Sequence, residues 1–570
     1  MVPAGLLHAA GVRSLHARAR IRSIDVSRAR AQRGVHLVLT AAELGALNQP
    51  TPLLIPHPEL THPRTPCPLA ADEVRYAGEL IALVVADDRY LAEDTARLID
   101  VEYEPLPAVV ELEAAGAAGA PRVHADVPGN RAARVAQRVG DPDGAFARAA
   151  HVFRERLAIE RSCGSPLETR GVVADYDART GMLNVWISTQ APLPIKNGLA
   201  RLFGLPEFKV EVIAPDVGGG FGTKIMLFYP EEILIPAAAI RLGRAVKWIE
   251  DRSEHLTSSS QERGQLHEVE VAADEAGRIL ALRDRFLHDA GAYTPYGIIV
   301  PLITSTQLPG PYRLRHYDVE FEVRYTNKVM VTPYRGAGRP HGAFVMERMI
   351  GRIARELGLE PSEVRRRNFI QPDEFPWDVG LTFQDGGPTR YDSGDYPAGL
   401  EMALERIDFG NFRARQRTVA AANVQTDFLL TVGILLRIRQ KIDDDLRHRI
   451  AVGVNGQAEA GQLALELESI VFQVRAIGLS GVARDRNEIA IAQVVFLFAA
   501  FHAREIEHVI DQPRQSCGLG GDDLKIRTLL GGVRHAAFGQ QFGKHANRSE
   551  RSFQFVRDVA DEIGFLTGKS

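Results

Sequence analysis

The run Asp216-Val217-Gly218-Gly219-Gly220-Phe221-Gly222-Thr223-Lys224 is the stretch of this chain best suited to chemistry. Four glycines in five residues strip side chains from a turn and open positive φ, so backbone N–H groups can approach a ligand closely. Such a loop suits an anion or a pterin ring. It matches neither the dinucleotide pattern G-x-G-x-x-G nor the phosphate loop G-x-x-x-x-G-K-[ST]. Taken alone, a tight turn without a ligand is an equal reading. Two other runs keep it company. Trp186-Ile187-Ser188-Thr189-Gln190-Ala191-Pro192 leaves the amide of Gln190 at a strand tip, and Pro333-Tyr334-Arg335-Gly336-Ala337-Gly338-Arg339-Pro340 places a guanidinium in a second glycine-rich loop.

These loops need elements to position them. A strand pattern at 208–213 leads into the glycine loop, and a helix pattern from Pro230 leaves it. Val172 to Tyr176 alternates as a strand, Val246 to Ile249 reads as a strand entering a charged turn, and Met346, Ile350, Ile353 and Leu357 mark a helix closed by Gly358. Nearer the start, 19–25 and 34–40 read as strands. Leu80-Ile81-Ala82-Leu83-Val84-Val85 is a continuous apolar run, as in a buried strand. Asp87 or Asp88 caps a helix from Arg89 to about Ile99, and 100–104 returns as a strand. The small-residue run at 114–121 reads as a linker.

Composition narrows the function classes. The chain has 570 residues, a net charge of −4 and a pI near 6.5, so nothing favours nucleic acid or an anionic membrane. Cys67, Cys163 and Cys517 are dispersed and form no C-x-x-C pair, which argues against a disulfide scaffold or a cluster held by this chain alone. No apolar run reaches 18 residues. The arginine-rich start lacks a secretory apolar core, and the chain reads as cytoplasmic.

In their order, these runs resemble the molybdenum-cofactor-binding large subunit of the xanthine dehydrogenase / aldehyde oxidase / carbon monoxide dehydrogenase family. Pro166-Leu167-Glu168-Thr169-Arg170-Gly171 and Asp289-Ala290-Gly291-Ala292-Tyr293 belong to the match. The resemblance implies an α+β chain with an α/β hammerhead domain at 1–115, shortened at its start, a linker at 116–130 and a first molybdopterin-binding domain at 131–418. It implies oxidative hydroxylation of an aldehyde or N-heterocycle at a molybdenum–molybdopterin centre, with electrons leaving through iron–sulfur and FAD partner subunits. The cofactor residues it implies are Gln190, Gly219, Gly220, Phe221, Gly222, Arg335 and Gly336. Plainer roles stay open: a turn cap for Gln190, an ion pair for Arg335, core packing for Phe221.

Departures bear on substrate. Purine oxidisers of the family carry a glutamate where Ile225 stands, an arginine near Ile303, and an aromatic residue at Ala337. Copper-bearing carbon monoxide dehydrogenases carry a cysteine at Gly336, and without a thiolate copper has no ligand there. The resemblance stops near Thr418, so residues 419–570 are unassigned and expected to be foreign to the family. No residue matches the family's general-base glutamate, and the alternative expectation is a catalytically incomplete remnant that at most binds a partner. Purified chain should contain no stoichiometric iron or acid-labile sulfide, because three scattered cysteines cannot build a four-thiolate cage. Iron and sulfide analysis measures this directly.

Overall fold

The computed structural model describes residues 5–225 and 228–421. The expectation for the chain beyond 421 lies outside the described residues. Residues 1–421 form one compact unit. Its architecture is α+β, with two main sheets.

The first sheet has seven strands in the order Val210–Ile213, Met182–Ile187, Gly171–Asp177, Val246–Ile249, Leu7–Arg13, Leu80–Ala86, Val35–Thr40. Every residue of Leu80–Ala86 is buried, as its unbroken apolar sequence requires. The sheet crosses from the first region, residues 5–115, into the central one, residues 131–418, through a parallel pair, with Leu7 opposite Val246 and His8 opposite Lys247. Helix Pro230–Leu242 is buried along most of its length against this sheet, and Ile233, Leu234 and Ala238 join its core. A three-stranded sheet, Glu73–Val74, Ala19–Asp25 and Asp100–Pro105, completes the first region. Helix Arg89–Ala96 there is capped by Asp88, which accepts from the Leu91 N–H at 2.9 Å.

The second sheet has five strands in the order Arg131–Val139, Tyr317–Tyr325, Ile279–Gly291, Gln261–Ala273, His151–Cys163. Its inner face packs Val269, Phe286 and Phe321 with Leu302, Met346, Ile350 and Ile353 from helices Ile299–Gln307 and Arg339–Glu356. The outer face carries charge in rows. Arg154, Glu270, Arg283, Asp318 and Arg138 lie opposite one another across all five strands. Their ion pairs span 2.5, 3.0, 3.5 and 3.9 Å in that order.

Residues 116–130 join the two regions while packed against the second. Val123 and Val127 are fully buried, and Asn130 holds the Ala115 and Pro121 carbonyls and the Val123 N–H. Small residues let this backbone lie close to the core. The charged turn expected after Ile249 is instead the helix Arg252–Ser258, because Asp251 and Glu254 form a capping box.

Arg13 of the first region reaches Glu231 at 2.5 Å and Glu254 at 3.0 Å. Glu231 also meets Arg170 at 3.0 Å and is itself 1% exposed. Removing one partner from such a buried cluster leaves an uncompensated charge, a loss of about 3–5 kcal/mol. Glu231→Ala should lower the urea midpoint of the full chain accordingly.

Candidate functional site

The site lies where the chain passes between the two sheets. Strand His151–Cys163 of the second sheet leads through the turn 164–170 into Gly171–Asp177 of the first. Val246–Ile249 returns through helix Arg252–Ser258 to Gln261–Ala273. The glycine loop, the Gln190 strand end and the second loop gather around these crossings.

Backbone hydrogen bonds and close approaches bring the three segments together. The Gln190 Oε1 accepts from the Gly222 N–H at 2.9 Å, and its own N–H donates to the Lys224 carbonyl at 2.9 Å. Only a backbone donor faces Oε1, so the amide is oriented with its nitrogen turned away from this contact. The Arg335 N–H donates to the Phe221 carbonyl at 2.7 Å, joining the second loop to the first. Glycine is required at the contact points. A Cβ on Gly220 would stand 2.4 Å from Gln190 Oε1, and one on Gly222, where φ is +110°, would stand 2.1 Å from the Pro333 carbonyl oxygen.

Two non-glycine residues here take left-handed backbone, Phe221 at φ +54° and Ala337 at φ +49°. Each such residue costs on the order of 1–3 kcal/mol, and strain of this kind gathers at functional sites. The Phe221 ring is 41% exposed and stands 6.2 Å from the Tyr334 ring, centre to centre. Gln190 and Arg335 are exposed. Among the described residues, the Gly220, Phe221 and Gly336 N–H groups and the side-chain donors of Gln190 and Arg335 have no hydrogen-bond partner. All seven residues expected at a cofactor site therefore fall in one place: Gln190, Gly219, Gly220, Phe221, Gly222, Arg335 and Gly336.

Beneath the loops is a buried ionic cluster. Arg170 is 3% exposed, donates to Glu250 at 2.6 and 3.0 Å, to Glu231 at 3.0 Å and to the Ser259 hydroxyl at 3.0 Å, and lies 3.7 Å above the Tyr229 ring. The Tyr229 hydroxyl donates to the Thr223 carbonyl at 2.7 Å and meets Ser260, whose hydroxyl accepts from Thr332 at 2.7 Å. His255 bridges Glu250 at 2.9 Å and the Gly164 carbonyl at 2.7 Å. Both ring nitrogens face acceptors, so the ring is doubly protonated. Burial works against its charge, yet the Cys163 sulfur, Glu250 and the Gly164 carbonyl raise its pKa from 6.5 to about 9.

Adjacent glutamates on helix Pro230–Leu242 diverge. Burial would raise Glu231, but Arg170 and Arg13 hold it low. Glu232 has burial and a single backbone donor, Tyr229, and is pushed up to about 8.

The chain matches the Molybdopterin cofactor-binding domain over residues 123–369 and the Aldehyde oxidase and xanthine dehydrogenase a/b hammerhead domain over residues 1–107. It is 30% identical to the nicotinate dehydrogenase large molybdopterin subunit of Eubacterium barkeri, over 64% of this chain and 83% of that protein. The chain belongs to the large subunits of the molybdenum hydroxylase family. A second member, the 6-hydroxypseudooxynicotine dehydrogenase complex subunit gamma of Paenarthrobacter nicotinovorans, is 36% identical over 73% of this chain and 52% of its own length. The carbon monoxide dehydrogenase large chain of Afipia carboxidovorans is 36% identical over 75% and 54%. Among solved structures, quinoline 2-oxidoreductase from Pseudomonas putida 86 matches with a TM-score of 0.68 at 37% identity, covering 74% of this chain and 53% of that one. The chain thus spans about half the length of the Paenarthrobacter and Afipia relatives.

In this molybdenum hydroxylase subunit, the sequence names residues that the structure brings together and does not name what holds them. Arg170 stands in a motif of the resemblance and Glu250 and His255 in the charged turn expected after Ile249, none with a role, and Tyr229 is not singled out by the sequence. One signal was available: Glu231 and Glu232 open a helix that is apolar from Ile233 to Ile240, where buried charge requires a partner. His255 makes that support pH-dependent. Its folded pKa lies above the unfolded value of 6.5, so its contribution is full below about 6.5 and is lost as pH rises through about 9. The urea midpoint should fall across that window in the native chain. His255→Gln should reduce the fall and leave the part below about pH 8 that Glu232 contributes by ionising in its buried place.

Proposed function

We propose that the described residues form one wall of a molybdopterin cavity and that the enzyme hydroxylates an N-heterocycle or aldehyde there, passing electrons to iron–sulfur and FAD partner subunits. The observation that carries this reading is the convergence of Gln190, the glycine loop and Arg335, with their outward donors uncommitted among the described residues. The arrangement fits an oxygen-rich, ring-bearing cofactor. The cradle is side-chain-free at Gly220 and Gly222, where a Cβ would intrude, and among the described residues the Gly220, Phe221 and Gly336 N–H groups, the Gln190 amide nitrogen and the Arg335 guanidinium are donors without a partner. When bound, the cofactor supplies the oxygen transfer and two-electron redox chemistry.

The chain's own residues orient and shield. Gln190 would hold the group through Nε2, because Oε1 is occupied by Gly222. Arg335 would hold it through its guanidinium while its backbone fixes Phe221. Phe221, exposed on the loop, would present an apolar surface that limits water. An N-heterocycle is favoured by relatives described as acting on nicotine derivatives, nicotinate and quinoline. Gly336 offers no thiolate for copper, which disfavours carbon monoxide, and Ile225 with Ala337 disfavours a purine. The reading of the chain as an incomplete remnant gains no specific support.

The test is co-expression of the full chain with iron–sulfur and FAD subunits of its class, in a host that makes molybdopterin. Molybdenum and pterin content and dye reduction with N-heterocycles, aldehydes and carbon monoxide are then measured. Dye reduction should follow an N-heterocycle or aldehyde. Gln190→Ala should retain molybdenum and lose about 10²-fold in kcat, as expected for one aimed donor. Absence of molybdenum and pterin from the native complex would defeat the proposal.

A further inference from the structure

Glu168 stands beside the loops and belongs to none of the seven cofactor residues. Its Oε2 accepts three hydrogen bonds: from Lys224 Nζ at 2.7 Å, from the Ser188 hydroxyl at 2.7 Å and from the Gly218 N–H at 2.8 Å. Each donor comes from a different place. Gly218 and Lys224 stand at the two ends of the glycine loop, and Ser188 lies two residues before Gln190. The backbone joins in, since the Glu168 N–H donates to the Gly218 carbonyl at 3.2 Å and the Glu168 carbonyl accepts from Lys224 Nζ at 3.0 Å. No room is left at the crossing, where a Cβ on Gly218 would lie 2.5 Å from that of Glu168.

The charge balance is equally narrow. The Lys224 side chain is fully buried, and Glu168 is its only ion-pair partner among the described residues. Burial lowers the Lys224 pKa against the pull of Glu168, while Glu168 is held below the usual carboxylate range because its donors outweigh its burial. An ammonium buried this far needs an anion in contact with it.

We propose that Glu168 is a positioning residue: through Lys224, Ser188 and Gly218 its carboxylate sets the shape of the glycine loop and the aim of Gln190, and so governs retention of the cofactor. This rests on the molybdopterin reading above. A neutral amide at 168 would keep the shape and strand the buried ammonium. The loop would then open to admit water to Lys224, and the Gly222 N–H would no longer hold Gln190. Removing both charges together relieves that penalty, because a buried ion pair replaced by neutral groups of similar size is often close to neutral in energy.

The experiment uses the full chain co-expressed with its partner subunits, comparing Glu168→Gln, Lys224→Met and the double variant. Three quantities are read: amide hydrogen exchange of peptides covering 216–225, pterin released per chain, and the overall urea midpoint. Glu168→Gln should speed loop exchange and lower pterin content at least tenfold with a fall in the urea midpoint smaller than that of Glu231→Ala, and the double variant should return exchange and pterin content to within about threefold of the native chain. Exchange and pterin content within twofold of native in Glu168→Gln would overturn the proposal. So would a fall in the urea midpoint as large as that of Glu231→Ala, which marks a general fold role, or a double variant as impaired as the single. Should the native complex hold no pterin, the molybdopterin reading fails, and loop exchange still decides whether Glu168 sets the loop.

Discussion

Arg170 is a guanidinium out of water, with two glutamates and a serine around its edge and a tyrosine ring against its face, and each neighbour reaches a different part of the site. Tyr229 extends to the glycine loop through Thr223, Glu250 to the turn at 164 through His255, and Glu231 to the first region through Arg13. Such a cluster is not a large source of net stability, since desolvation of each charge offsets most of the attraction. Its contribution is uniqueness. Any alternative packing of the crossings between the two sheets would strand a charge, so the loops above have one arrangement in which all charges are met.

That arrangement accounts for strain in a place that must bind. Phe221 and Ala337 hold left-handed backbone although neither is glycine. The Phe221 carbonyl is engaged by Arg335, and the Ala337 N–H donates to the Tyr334 carbonyl at 2.5 Å. A loop free to relax would lose both conformations. Here the strained residues face outward while the surrounding hydrogen bonds hold their backbone, so the cost of shaping the cradle is met on folding rather than on binding.

The parts of this protein legible in its sequence are those with local signatures. Glycine spacing marked the first loop, the apolar run 80–85 marked a buried strand, and Gly358 marked a helix end, found with φ +64°. The helix Arg252–Ser258 was also legible, in the Asp251 to Glu254 capping box, but its charge disguised it as a turn. What no local pattern carried was the pairing of distant charges. Arg13 and Glu231 are 218 positions apart, and Glu168 and Lys224 are 56 apart. Periodicity reports which face of an element is buried and says nothing of which buried charge meets which. The merging of the first region into a seven-stranded sheet was hidden for the same reason, because a parallel pair between Leu7 and Val246 depends on the whole fold.

The charged outer face of the five-stranded sheet has a consequence for how its strands find their neighbours. On that face each strand carries mainly one sign: Arg134 and Arg138, then Asp318, Glu320 and Glu322, then Arg283 and Arg285, then Glu268 and Glu270, then Arg154 and Arg156. Sliding one strand by two residues would leave opposite charges facing, so the rows do little to set register. Exchanging two adjacent strands would bring like signs side by side along their whole length, and directly opposed like charges destabilise a pair. The pairs run from exposed to half-buried, and ion pairs with such access to water are individually weak. Their alternation still spells out a sequence of neighbours, and a sheet that pairs Arg131–Val139 with Tyr317–Tyr325 and His151–Cys163 with Gln261–Ala273, strands remote in sequence, carries on its surface the order in which they must assemble.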